Sequence, residues 1–225
     1  MPDWSGPAFD YILHEGLPNT LRVAAIAVVA STLIGVVLGT LLTIRFRPTR
    51  SLIRLYVEVF RGLPILVTVF AVFFALPKIS PTLEFSPLDA TAIALTLWGS
   101  AQVAEATRGA VQSIPREQRE AAAALGFGWV GAHVFVILPQ ALRRLLPPLV
   151  SLLVNIIQNT TLAATIGGLD LLEAGKRQNE RIAAFPPIGT GENHALEIFG
   201  AVAVLFFLIS FPLTRLAAYL EKRLV

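Results

Sequence analysis

Cysteine is missing from all 225 residues, which excludes disulfides, thiolate metal sites and a cysteine nucleophile. Histidine occurs only as His14, His133 and His194, none with partners at metal-ligand spacing, so neither a metal nor a bound cofactor is expected. A Gly-x-x-x-x-Gly-Lys-Ser/Thr loop is also absent, and the chain therefore has no phosphate cradle of its own for nucleotide chemistry. No internal repeat or low-complexity tract is present. The N-terminal stretch carries Asp3, Asp10 and Glu15 rather than basic residues ahead of a short apolar core, so it does not read as a cleaved signal peptide. The net charge of +3 comes from Lys and Arg scattered between apolar runs, with no continuous stripe, and nucleic acid is not an expected partner.

Apolar residues, by contrast, abound. At 55% hydrophobic residues and a mean hydropathy of +0.68, the chain exceeds what a soluble domain needs, and a lipid bilayer is its expected solvent. A bilayer crossing takes roughly 20 residues, which gives five expected spans at about 20–45, 55–77, 88–113, 145–168 and 196–220. The second reaches this length only if Gly62 to Pro77 extends back through Val57 to Phe60, with Arg61 snorkelling to the interface. An odd number puts the termini on opposite sides. With the N-terminus outside, only Arg22, Lys78, Lys176, Arg177 and Arg181 of the 18 Lys and Arg residues lie on the outer side; the others, from Arg45 to Arg223, gather inside. The expectation is a single all-α integral membrane domain over residues 1–225, N-terminus out and C-terminus cytoplasmic. A polar gap at about 114–144 then faces the cytoplasm, as a two-helix loop between the third and fourth spans. An outer loop at about 169–195 carries a short helix from Leu171 to Ala184, followed by a stretch with Pro186-Pro187, Gly189 and Gly191.

The inner gap has its own pattern. Pro115 suits a first helical turn, and Glu117 places negative charge at that positive end, so a helix is expected from about Pro115 to Leu125. Ala121 to Ala124 favour it and leave its backbone open to close approach. Gly126 is placed to end it in a left-handed conformation. A second short helix, from about Gly128 to Leu138, is expected to stop because Pro139 disfavours helical geometry at the residue before it.

These residues carry a resemblance. Glu120-Ala121-Ala122, three residues, Gly126, nine residues, an aliphatic residue, one residue and Leu138-Pro139 resembles the EAA signature of permease subunits of bacterial ABC importers, with Val136 where that family prefers Ile. Tyr56 to Pro64 (YVEVFRGLP), Gln112 to Pro115 and Leu138 to Arg144 are similar to the polar amino acid uptake subfamily, and the match covers about Asn19 to the C-terminus. The resemblance implies a type I importer fold in the bacterial inner membrane. It implies a coupling loop formed by Glu120, Ala121, Ala122, Gly126, Leu138 and Pro139 that seats in a cytoplasmic ABC ATPase dimer. The implied partners are a second permease subunit, identical or paralogous, an extracytoplasmic solute-binding protein and a polar amino acid as substrate. ATP is then bound by the partner.

Within the spans, Asn155 and Asn159 lie four apart on one helical face in line with Ser151, with Gln158 and Thr160 beside them. By the resemblance, the second and fourth spans line the substrate path. Glu58 would meet the α-ammonium group, and Asn155, Asn159, Thr160 and Gln158 the polar groups. The plainer alternatives are hydrogen-bond links between helices for the amides and an ion pair with Arg61 for Glu58. Gln102, Glu105, Arg108 and Gln112 recur every three or four residues and are expected to form a stripe that satisfies itself against the second or fourth span. Two other function classes stand beside the importer. A membrane-embedded enzyme needs convergent acid/base groups, which the isolated Glu58 and Glu105 do not supply. An ion-coupled secondary transporter predicts repeats and discontinuous helices that the sequence lacks. An importer of another small polar solute on the same fold is the nearest alternative. The amides at 155 and 159 lean towards a neutral or acidic amino acid.

Overall fold

The computed structural model describes residues 4–44, 46–184 and 193–224, and the regular structure among them is all helical. Asp3 and Arg45 lie outside the described residues, as does the stretch with Pro186-Pro187, Gly189 and Gly191. In chain order the helices are α1 (Ser5–Leu41), α2 (Arg47–Gly62), α3 (Ile65–Ile79), α4 (Pro87–Gln112), α5 (Arg116–Ala124), α6 (Trp129–Ile166), α7 (Leu171–Ala184) and α8 (Ala195–Leu224).

Among the described residues, α1, α6 and α8 are long and apolar enough to cross a membrane, and α2 with α3 adds a fourth crossing if the two count as one broken span. Three to four spans thus stand where five are expected. α4 has the length, at 26 residues, but Gln102, Glu105 and Arg108 interrupt it and it falls short of the same apolar standard. The expected second span at 55–77 is two helices. Pro64 drives Leu63 out of the helical region to φ −81, ψ 138, and the chain restarts at Ile65. α1 begins well before residue 20, because Ser5–Tyr11 and a wider turn over Ile12–Gly16 lead into the apolar run without a break.

The second helix of the inner loop does not stop at Leu138. Pro139 has no N–H to donate, yet Leu138 stays helical, since the preceding turn widens and the Leu138 N–H bonds to the carbonyl of His133, five residues back. The Gln140 side-chain amide also donates to the Val136 carbonyl at 2.9 Å. A widened turn is the kind of local change that lets a helix pass a proline. Trp129 to Ile166 is consequently one continuous helical stretch, with Pro147 and Pro148 inside it. The two shorter expectations hold: α5 covers Arg116–Ala124, and α7 covers Leu171–Ala184.

The chain divides into two compact units, one of Met1–Val28, Pro64–Thr96 and Asn155–Pro212, the other of Val29–Leu63, Leu97–Val154 and Leu213–Val225. In the first, Trp4, Ala8 and Ile12 of α1 pack with Leu171, Ala174 and Ile182 of α7 and with Ile198 and Val202 of α8. Two hydrogen bonds fix the start of α7 to α1: the Leu171 N–H donates to Thr20 Oγ1 at 2.9 Å, and the Asn19 amide donates to the Leu169 carbonyl at 2.9 Å. In the second unit, Ala110, Val111 and Ile114 of α4 meet Ile137, Ala141 and Leu145 of α6. Ile53 and Val57 of α2 pack on Ala104 and Leu42. The Tyr56 hydroxyl donates to the Leu97 carbonyl at 3.1 Å. Close approach of α1 to α4 requires Gly39, where a Cβ would sit 2.4 Å from the Ala104 carbonyl oxygen.

Asp170 caps α7. One carboxylate oxygen accepts the Glu173 N–H at 2.8 Å, the other is buried without a partner, and burial pushes the carboxyl up to about 6. A raised carboxyl pKa means that the folded state holds its proton longer than the unfolded one. The stabilisation is complete below the ordinary carboxylate value and is lost as pH rises through about 6. Docking of α7 on α1 is predicted to weaken between about pH 4 and pH 7 by on the order of 3 kcal/mol. Amide-exchange protection in α7, corrected for intrinsic rates, measures this, and Asp170→Asn is expected to abolish the pH dependence.

Candidate functional site

α5 starts after Pro115, whose φ of −54 and ψ of 145 set the entry, with Glu117 in the first turn. Only Ala122 of this helix is buried; Glu120 and Ala121 face outward. Glu120 pairs with Arg116 at 2.9 Å, both side chains being mostly exposed, so the pair adds little stability and exchanges readily for an outside partner. The helix ends at Gly126 with φ +81. There the Gly126 N–H bonds to the Ala123 carbonyl and the Phe127 N–H to the Ala122 carbonyl, each at 3.0 Å. This 6→1 and 5→2 pattern satisfies the last carbonyls of the helix and needs a left-handed residue.

The loop is held from both flanks. Arg119 donates to the Val111 carbonyl at 3.0 Å, Gln140 to Gln118 Oε1 at 3.2 Å, and Arg144 to the Ser113 carbonyl at 2.6 Å. Beyond Gly126 come Phe127, Trp129, Val130 and Phe135, all exposed, the last at 71%; Leu125 beside them is 78% exposed. Leu138 is half-buried and Pro139 exposed on α6. A fixed helix with a weakly committed Glu120, next to a patch of aromatic and aliphatic side chains, has the makings of a protein-docking surface.

The polar residues of the spans fall into separate settings. Asn155 and Gln158 are exposed on α6, while Asn159 is half-buried and its amide donates to the Asn155 carbonyl at 2.7 Å. Thr160 is buried, and its hydroxyl donates to the Ile157 carbonyl at 2.7 Å. Glu58 pairs with Arg54 at 3.0 Å, one turn back, and not with Arg61. Arg61 turns instead to α4, where its Nε donates to Gln102 Oε1 at 3.3 Å and its Nη1 stands 3.7 Å from Glu105. Arg108 bridges Glu105, at 3.0 Å from Nε, and Gln112, at 2.6 Å. The stripe on α4 does satisfy itself, as expected. Arg61 is the residue whose part sequence reasoning misses; the signal is a guanidinium three residues ahead of a proline that breaks the span. Among the described residues, no group of three or more His, Asp and Glu side chains is close enough to hold a metal ion.

The sequence profile of the family described as "Binding-protein-dependent transport system inner membrane component" matches residues 12–225. The glutamine transport system permease protein GlnP of Escherichia coli is 36% identical over 224 residues, covering 99% of this chain and 97% of its own. The probable glutamine ABC transporter permease protein GlnM of Bacillus subtilis is 32% identical over 211 residues, or 93% and 92% of the two chains. Among solved structures, the crystal structure of an amino acid ABC transporter with histidines matches with a TM-score of 0.82 at 25% identity, over 96% of this chain and 95% of that one. An inward-facing MetNI methionine ABC transporter matches with a TM-score of 0.79 over 98% and 99% of the chains; at 19% identity it bears on the fold alone.

At Gly126 a Cβ would meet open space, so any cost of a side chain comes from the backbone. Gly126→Ala is predicted to destabilise the end of α5 by about 1–2 kcal/mol through its positive φ. Gly128→Ala, at a φ of −66, is expected to leave it unchanged. Limited proteolysis at the α5–α6 junction compares the two.

Proposed function

Because the chain belongs to the family of binding-protein-dependent transport system inner membrane components, we propose that it is the permease subunit through which an ATP-driven importer passes a polar amino acid, with glutamine as the first candidate. The observation that carries this reading is the 36% identity to a glutamine permease across 99% of the chain. Five crossings in the assembled bilayer, with α4 and the broken α2–α3 pair each spanning, complete the proposed topology. The N-terminus lies outside, the C-terminus lies in the cytoplasm and residues 1–225 act as one permease domain. Under this orientation α5 is cytoplasmic and α7 extracytoplasmic.

The proposed partners are an ABC ATPase dimer, a second permease subunit and a solute-binding protein. α5 is the proposed coupling element. Glu120 accepts hydrogen bonds from the ATPase, the exposed Ala121 allows its surface to approach closely, the buried Ala122 seats the helix on its own chain, Gly126 fixes the turn, and Leu138 and Pro139 carry the motion into α6. Its exposed neighbours Phe127, Trp129 and Phe135 support this role, since such a patch on a membrane protein's inner loop needs a cover. The continuity of α6 through Pro139 supports it as well, because the loop runs without a break into the helical stretch Trp129 to Ile166. Asn155, Gln158, Asn159 and Thr160 on α6 are proposed to contact the substrate's polar groups, and Glu58 on α2 its α-ammonium group.

Copurification with an ABC ATPase subunit, followed by glutamine uptake in proteoliposomes containing ATP and a solute-binding protein, tests the reading. Glu120→Arg is expected to abolish ATPase association or uptake, while Glu221→Arg at the far end of the chain leaves both intact. Asn159→Leu is expected to keep basal ATP hydrolysis and lose its stimulation by the substrate-loaded binding protein. An unaltered response would remove Asn159 from the substrate path.

A further inference from the structure

Gln112, Ser113, Ile114, Pro115, Arg116 and Arg119 line a cavity of about 370 Å³ where the end of α4 passes into α5. The size falls within the range of small-ligand sites. Three guanidinium groups converge there. Arg116 and Arg119 lie on the wall, and Arg144 of α6 donates from Nη1 to the Ser113 carbonyl at 2.6 Å and to Ser113 Oγ at 3.1 Å. Arg116 is matched by Glu120 at 2.9 Å, whereas Arg119 and Arg144 form no ion pair among the described residues. Each of the two instead caps a carbonyl at the end of α4, Arg119 doing so from Nη2 to Val111 at 3.0 Å. Such a cap occupies one nitrogen of the side chain. A guanidinium has five N–H donors on three nitrogens, so both arginines keep donors for a further acceptor. The nearest carboxylate in sequence, Glu117, is not part of the lining.

We propose that this cavity binds a phosphate group, that of an anionic phospholipid headgroup or of a soluble phosphate ester, through the remaining N–H groups of Arg119 and Arg144. A phosphate presents its oxygens tetrahedrally, so guanidiniums arriving from two helices can each reach it; the two oxygens of a carboxylate lie in one plane that suits a single fork. Under the proposed orientation the cavity lies at the cytoplasmic interface, where basic pockets between helices meet the phosphates of anionic lipids. A phosphate held there joins α5 to α6 across the end of α4. The anion thereby stiffens the connection on which the proposed coupling depends, and anion supply becomes a means of regulating it.

The natural absence of cysteine gives a clean readout. Gln112→Cys puts a thiol on the cavity wall, and Glu221→Cys puts one at an exposed position of α8 as a control for general charge effects. The full-length chain is held in maltoside micelles, which contain no phosphate, and its rate of modification by maleimide is followed at constant ionic strength. In micelles both faces are open, so the result does not depend on the proposed orientation. Phosphatidylglycerol, inorganic phosphate and acetate are added in separate arms. A phosphate carrier is expected to slow modification at position 112 and not at 221, and acetate is expected to change neither. Protection by phosphatidylglycerol alone identifies the lipid headgroup as the source, while protection by inorganic phosphate shows that the soluble group suffices. Arg119→Gln combined with Arg144→Gln keeps an N–H donor at each position and should raise the concentration for half-protection by on the order of tenfold or more. Arg119→Lys with Arg144→Lys keeps both charges without the forks and should raise it by a smaller factor. Modification rates without added anion report whether each variant keeps the cavity. Absence of protection by both phosphate carriers, equal protection by acetate, equal slowing at position 221, or unchanged protection in the variants that keep the cavity overturns the proposal.

Discussion

Polar groups inside an apolar helix bundle have no water to turn to, and each must find its partner within the chain, in a neighbouring subunit or in a ligand. The breaks in this structure show how the chain meets that demand. Pro64 has no N–H to offer at a point where Leu63 has already left the helix, and the chain breaks there and restarts at Ile65. Pro139 removes another inside a continuous helix, and the cost is met by a widened turn at His133 and by the Gln140 side chain. On α4, Arg108 stitches Glu105 to Gln112, which lets a helix with three interrupting polar residues pack as one element. Glu120 on α5, by contrast, has an exposed ion pair with Arg116 that an outside partner could replace at little cost.

That distinction orders the functional residues. Thr160 and Asn159 bond back to their own helix, where α6 tightens from α-helix into a 3-10 helix over Thr160–Ile166. Glu120 has only a surface pair one turn away, worth little against a shaped partner. The loop that carries it is held by hydrogen bonds through Arg119, Gln118 with Gln140, and Arg144, and exposes apolar side chains, as the proposed coupling role requires. A stiff connection from an exposed helix into a continuous span is what a mechanical input requires.

The start, composition and left-handed end of α5 are legible in the residues themselves, because Pro115, Glu117 and Gly126 act through local physics that needs no tertiary context; the same is true of α7 between Leu171 and Ala184. The courses of α2 and α6 are not legible there, and for opposite reasons. Apolar content across Gly62 to Pro77 masks the break that Pro64 enforces, because hydropathy counts residues and does not see a dihedral. Pro139 reads as a stop, since the compensating turn depends on hydrogen bonds that form only once the helix exists. The pairing of Glu58 with Arg54 rather than Arg61 does not follow from spacing, because three and four residues both bring side chains together and α4 decides between them. The family resemblance lies in the ordered motifs and is visible in them, whereas the turn of Arg61 towards Gln102 and Glu105 is visible only in distances.

The central claim is that α5 and the exposed side chains after it form the surface through which a separate ATPase drives this chain. Amide exchange over residues 116–138, compared between the isolated permease and its complex with the ATPase, tests it most directly. The account predicts that the complex slows exchange over this segment and leaves α7 unchanged. Equal exchange over residues 116–138 in the two samples, with protection elsewhere, would contradict it.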